Sequence, residues 1–227
     1  MRILVISDIH GNKPALDAVL NDCGPVDMVI CPGDIAGYYP FVNEVIDTLF
    51  SMENMICVMG NHDYALVNQG ASTGSFSADR AISIQKGLVT KENLSRLRGL
   101  RVFEELEVGE QRCFLFHGSL RDPLNGRDMF WAGDLASGMY LCGHTHAPQY
   151  LQSAEKNWAV VNPGSCGMPR DGNPKAAYCL WDMARKSIKI CRVEYPISAV
   201  MEKCQEVGLP DRFWKSLQAG RWVSDAV

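Results

Sequence analysis

Met1-Arg2-Ile3-Leu4-Val5-Ile6-Ser7-Asp8-Ile9-His10-Gly11-Asn12 opens the chain. Ile3 to Ile6 form a short apolar run, which reads as a strand. The run stops at Ser7-Asp8, and Gly11-Asn12 signals a turn. Pro14 falls where a first helical turn tolerates proline, so a helix is predicted over Pro14–Asp22. A strand, a polar turn and a helix make the opening unit of a layered α/β fold.

The unit recurs. Met28–Pro32 ends in Pro32-Gly33-Asp34 and leads to a helical stretch, Phe41–Met52. Asn54–Met59 ends in Met59-Gly60-Asn61-His62-Asp63. After Tyr64 the Gly/Ser/Thr/Asn-rich stretch Asn68–Ser75 reads as a mobile surface loop. Helices over Phe76–Gly87 and Lys91–Arg98 follow, giving a helical insert at about 64–100. Six later apolar runs are Val102–Val108, Arg112–Phe116, Gly138–Cys142, Trp158–Val161, Ala176–Trp181 and Ser187–Glu194. Turn signals rather than long helices join the last of them, which predicts an antiparallel meander. Two more helices are predicted over Ile197–Val207 and Asp211–Leu217, within about 197–220. No repeat or composition break divides the 227 residues, so a single domain over 1–227 is expected.

The bulk composition removes several classes. A net charge of −4 leaves no broad basic face, so strong nucleic-acid binding is not expected. No apolar run approaches the roughly 18 residues of a membrane span, so no membrane partner is expected. Met1-Arg2 leads straight into a strand rather than a secretory h-region, and no signal peptide is expected. The nine cysteines form no C-x-x-C pair, and Cys31, Cys57, Cys142 and Cys179 sit inside apolar runs. That usage points to a reduced, cytoplasmic protein.

The five histidines carry the functional signal. His10, His62, His117, His144 and His146 each follow a strand-like run, beside Gly, Asp or Asn. Asp-x-His or Gly-Asp alone is weak, because both occur in ordinary turns. Gly143-His144-Thr145-His146 is stronger, with two imidazoles on alternate residues and a glycine that permits close approach. Carboxyl ends of strands form the ligand crevice of open α/β sheets, so five strand ends deliver metal-type ligands to one rim. Asp8, His10, Asp34, Asn61, His117, His144 and His146 offer oxygen and nitrogen and no thiolate, which suits manganese, iron or zinc. Seven ligands exceed one tetrahedral ion and match two ions sharing a carboxylate. Two dications against two aspartates leave net positive charge, which attracts phosphate. Paired metals roughly 3.5–4 Å apart activate water and stabilise attacking and leaving oxygens.

These motifs resemble the calcineurin-like metallophosphoesterase superfamily. Its order is Asp-x-His, Gly-Asp, Gly-Asn-His-(Asp/Glu), a Gly/His strand end and Gly-His-x-His, all present from Asp8 to His146. Phe116-His117-Gly118-Ser119-Leu120-Arg121-Asp122-Pro123 and the Asn162–Gly172 run resemble its small bacterial and archaeal phosphodiesterase-like branch. The resemblance implies a two-sheet β-sandwich flanked by helices, the four-layer α/β/β/α metallophosphoesterase fold. It implies two divalent ions: Asp8, His10 and His146 hold one, Asn61, His117 and His144 the other, and Asp34 bridges. His62 then lies near the phosphate and donates a proton to the leaving oxygen or stabilises its charge. The implied nucleophile is a metal-bridging hydroxide attacking in line.

Asn12 and Arg121 are further candidates for phosphate contact, against a turn role for Asn12 and a loop salt bridge to Asp122 for Arg121. Arg170 reads as a rim-stabilising residue, Asp63 as a cap, and Trp214 and Trp222 as core. Tyr38 and Tyr39 stand beside Gly37 as pocket-shaping candidates. The implied activity is phosphodiester hydrolysis of a small, possibly nucleotide-like ester. A phosphomonoesterase and a non-catalytic metal-binding scaffold of the same fold are the alternatives.

Overall fold

Ile3 and Val5 share one buried cluster while Leu4 and Ile6 belong to another, so the opening strand is apolar on both faces. The computed structural model describes residues 1–127 and 135–224. In it β1 (Arg2–Val5) pairs in parallel with β2 (Met28–Cys31), and β2 with β3 (Met55–Cys57). The chain then crosses through helices α3 (Asn61–Val67), α4 (Phe76–Leu88) and α5 (Lys91–Arg98) to a second sheet. Its strands are β4 (Phe103–Val108), β5 (Gln111–Phe116), β6 (Gly138–Leu141), β7 (Gln149–Ser153) and β8 (Trp158–Asn162), in the order β4-β5-β6-β8-β7. β9 (Ala176–Asp182) and β10 (Ser187–Val193) return to the first sheet, which reads β10-β9-β1-β2-β3. Both sheets are mixed and flanked by helices.

The space between the sheets is filled by Ile3, Val5, Ile30, Val58, Leu115, Leu141 and Val161. Burying each aliphatic side chain is worth about 1.5–3 kcal/mol, so this layer alone locks the sheets face to face. On the other face of the first sheet, α1 (Lys13–Cys23) and α2 (Val42–Phe50) bury Leu16, Val19, Val45 and Leu49. A separate cluster joins α4, α6 (Ile197–Glu206) and α7 (Arg212–Ala219) to Tyr38 and Tyr39.

Three expectations change. The meander is split: β7–β8 and β9–β10 are antiparallel hairpins, but β8 runs parallel to β6 and the chain changes sheets before β9. α3 starts at Asn61, so the third motif is the first turn of a helix and His62 lies on it, not on a loop. The Asn68–Ser75 loop is tied down, because Ser72 Oγ and the Thr73 amide and hydroxyl donate to Asp79 in the first turn of α4.

Candidate metal centre

β1, β2 and β3 run parallel, as do β5, β6 and β8, and a parallel bridge between Ser7 and Ser165 aligns the two sets. Their carboxyl ends therefore meet at one rim. Asp8 and His10 follow β1, Asp34 follows β2, Asn61 and His62 follow β3, His117 follows β5, and His144 and His146 follow β6. The structure brings all eight together.

The backbone there is strained. Asp8, His10, Asp34, His144 and His146 have φ between 53° and 67°, the left-handed region, which costs about 1–2 kcal/mol per non-glycine residue. Cross-links between the motifs hold them in it. His10 N donates to Asp34 O (3.0 Å), His62 N to Asp34 Oδ1 (2.8 Å), and His144 N to the Asp8 carboxylate (3.1 and 3.2 Å). Glycines give the room: a Cβ on Gly37 would overlap the His10 ring, one on Gly60 the Asp34 carboxylate, and one on Gly143 would lie 2.7 Å from Asp8 Oδ2.

Carbonyls fix the imidazoles. His10 Nδ1 faces Ala36 O at 3.1 Å, His117 Nδ1 faces Pro32 O at 2.9 Å, and His146 Nδ1 faces Met168 O at 2.5 Å. A carbonyl only accepts, so each Nδ1 carries the proton, and in a neutral ring the Nε2 lone pair points inward. His10 Nε2 and His146 Nε2 are 3.1 Å apart, with Asp8 Oδ1 at 3.8 and 3.3 Å. Two facing lone pairs at that distance repel unless a cation lies between them and the carboxylate. His117 Nε2 lies 3.2 Å from Asp34 Oδ2 and 4.0 Å from Asp8 Oδ1, with hydrogen-bond geometry unmet. His144 Nδ1 is 3.2 Å from Asn61 Oδ1. Asp8-His10-His146 and Asp8-Asp34-His117 are candidate metal groups, and their oxygen and nitrogen donors fit borderline divalent ions.

Protonation follows burial and charge. Burial pushes Asp8 up to about 6. Burial also opposes ionisation of Asp34, but His117, His62 and His10 outweigh it and hold that carboxyl well below the usual range. Burial disfavours a charged His117, yet Asp34 and Asp8 raise it to about 10. Burial, reinforced by neighbouring cations, pushes His10 and His146 well below the ordinary imidazole value.

Beside this cluster lies a cleft of about 290 Å³. Asp34, Asn61, His62, His144 and His146 form its floor; Tyr38, Thr73, Ser75, Arg127, Arg170 and Trp222 form its walls. Arg121 is exposed and outside that lining. Asn12 is buried with both ends used: its Oδ1 caps α1 by accepting from Ala15 N, and its Nδ2 donates to Gly167 O. Asp63 is a cap, accepting from the Gly60, Ile35 and Ala36 amides.

Arg170, read from sequence as a rim residue, lines the cleft. Asp171 pairs with Arg192 instead, and Arg170 Nη2 donates to Tyr38 Oη at 3.0 Å. Trp214 packs in the helical cluster, but Trp222 reaches the cleft. The one signal for Arg170 was its place in the glycine-rich Asn162–Gly172 run, which Ser165 ties to the end of β1. Trp222 and Arg127 lie in stretches without a motif.

Fold and rim together define a metallophosphoesterase, a metal-dependent hydrolase of phosphate esters. The calcineurin-like phosphoesterase superfamily domain matches residues 1–186. The protein MJ0912 of Methanocaldococcus jannaschii is 34% identical over 96% of this chain and 98% of its own. A metallophosphoesterase from Sphaerobacter thermophilus is 31% identical with a TM-score of 0.82, covering 97% of this chain and 99% of that one. The fold is also that of the hypothetical protein PH1004 from Pyrococcus horikoshii, at 21% identity, a TM-score of 0.80, and 96% and 98% coverage. The chain belongs to the calcineurin-like phosphoesterase superfamily.

Proposed function

We propose that the chain hydrolyses a small phosphodiester at a dinuclear site. Asp8, His10 and His146 hold one divalent ion, Asn61, His117 and His144 hold the other, and Asp34 serves both. The carrying observation is the orientation of three imidazoles, each with Nδ1 on a backbone carbonyl and Nε2 turned toward Asp8 or Asp34. When bound, manganese, iron or zinc ions supply positive charge for phosphoryl oxygens and activation of water.

The chain's own contribution is positional. His62 projects from the first turn of α3 beside Asp34, with Nε2 3.9 Å from Asp34 Oδ2 and Nδ1 buried without a hydrogen-bond partner among the described residues. Burial pushes it down to about 4, so at neutral pH it is a neutral imidazole. Donating an N–H hydrogen bond to the leaving oxygen suits that state, and a nearby phosphate anion raises its proton affinity. Asn12 fixes the turn that carries His10. Contact with Arg121 requires a substrate that extends past the rim. Thr73 and Ser75 supply one wall, which supports a substrate-selecting part for the 64–100 insert. The nine unpaired cysteines support a reducing, cytoplasmic setting.

A cleft continuing past the metal groups to an aromatic wall suits an ester with two organic substituents. Arg127 and Arg170 favour the second reading, a phosphomonoesterase, because a monoester dianion uses extra cations. Metal-stripped protein tested on bis-p-nitrophenyl phosphate and p-nitrophenyl phosphate, with and without manganese, separates them. Manganese-dependent turnover favouring the diester supports the proposal; preference for the monoester replaces it with the phosphatase. No turnover of either by metal-loaded protein sinks both.

A further inference from the structure

The matched family domain ends at residue 186, yet the segment beyond it builds part of the cleft. After α7 the chain turns at Gly220, which is left-handed (φ 60°). Gly172 N donates to Gly220 O at 2.9 Å, and Val223 N donates to Ser216 Oγ at 2.9 Å. A Cβ on Gly220 would lie 2.6 Å from the Asn173 carbonyl carbon, so the turn rests directly on the loop that carries Arg170. This docking places the half-buried Trp222 ring 5.7 Å from Tyr38 and 5.6 Å from Phe213. Tyr38 in turn packs 4.9 Å from both His10 and His62. Arg170 Nε is buried with no hydrogen-bond partner, and among the described residues no carboxylate pairs with this guanidinium. The cleft wall thus presents an aromatic face and an unneutralised cation side by side.

We propose that Trp222 and Arg170 select the substrate: Arg170 takes a phosphoryl oxygen, and Trp222 stacks on a flat aromatic ring, a nucleobase, in the substituent that is not the leaving group. The inference rests on the phosphoester-hydrolase reading and adds the chemical class of one substituent. Guanidinium matches phosphate bidentately, and a base stacks on an indole whatever its sequence identity. Tyr38 is a positioning residue, holding the guanidinium through its hydroxyl.

The test uses the full chain with manganese and two diesters that share a leaving group, thymidine 5′-(p-nitrophenyl phosphate) and methyl p-nitrophenyl phosphate. Trp222→Ala is expected to raise KM about tenfold for the nucleotide ester and less than twofold for the methyl ester, with Trp222→Phe restoring most of the loss. Arg170→Lys is expected to lower kcat/KM for both esters alike. An equal effect of Trp222→Ala on both esters, or none on either, overturns the assignment. Calorimetry gives a reading independent of turnover: the unaltered protein is expected to bind adenosine monophosphate about tenfold more tightly than inorganic phosphate, and Trp222→Ala to lose that preference. Equal binding of the two overturns the proposal. The preference without any turnover supports the wall and sinks the diesterase instead.

Discussion

Asp63 makes no hydrogen bond to another side chain of the cluster, yet it holds three backbone amides from two segments of the rim. Its carboxylate accepts from Ala36 N at 2.8 Å, Gly60 N at 3.0 Å and Ile35 N at 3.3 Å. Asp63→Ala strands three buried amides at about 1 kcal/mol or more each, so a loss of roughly 3 kcal/mol is expected. For a chain this long that is a fall in Tm of roughly 6–12 °C, readable by calorimetry. A change under about 2 °C refutes the assignment. His62 is the contrasting residue, with an unpartnered buried Nδ1 and a place in the cleft. His62→Ala is expected to lower kcat by about 10²–10³ with metal content and Tm nearly unchanged. Full turnover in that variant removes His62 from the chemistry.

Strand ends and their turns are where sequence and structure agree best, and where their difference is most instructive. The apolar run Ile3–Ile6 and the polar residues after each run were legible, because a strand buried on both faces leaves an unbroken apolar stretch. β7 was not legible: Gln149-Tyr150-Leu151-Gln152-Ser153 is an edge strand with three exposed residues and no apolar run. α3 was hidden because its first turn is the metal motif itself. The left-handed backbone at five candidate ligands was only faintly marked: Asp and His favour that region more than most side chains do but seldom adopt it, and the adjacent glycines hint at crowding. These glycines make a prediction at this scale. Gly143→Ala drives a methyl against Ser7 and the Asp8 carboxylate, so bound metal measured by mass spectrometry is expected to fall severalfold, with Tm. Gly87→Ala is the control, in open space inside α4, and is expected to stabilise by about 0.5–1 kcal/mol through helix propensity. Equal effects of the two changes contradict the cradle.

Across the whole molecule, packing charged and imidazole groups into one buried rim ties stability to pH and to metal. In the metal-free chain, burial pushes His62 and His144 to about 4 and holds His10 and His146 well below the ordinary imidazole value. An unfolded imidazole binds its proton near 6.5, so between about 6.5 and 4 the unfolded chain takes up protons that the folded one refuses. Stability therefore falls as pH drops through that window. Asp8 at about 6 and Asp63 at about 7, both raised chiefly by burial, work in the opposite sense there but are fewer. His117, raised to about 10, contributes stability that is complete below about 6.5 and is lost as pH rises toward 10. Metal-free protein should thus be most stable near pH 6.5 and decline on both sides. Divalent ions reverse the alkaline arm, because they bind the deprotonated ligand that high pH supplies, and protons compete with them in acid. At a hundredfold excess over Kd the added stability is about 2.7 kcal/mol. Thermal melts with manganese and with chelator at pH 5, 6.5 and 8 should show a metal-induced rise in Tm that is largest at pH 8 and smallest at pH 5. A rise independent of pH places the ions outside the buried cluster, since sites built from exposed carboxylates are already deprotonated across that range.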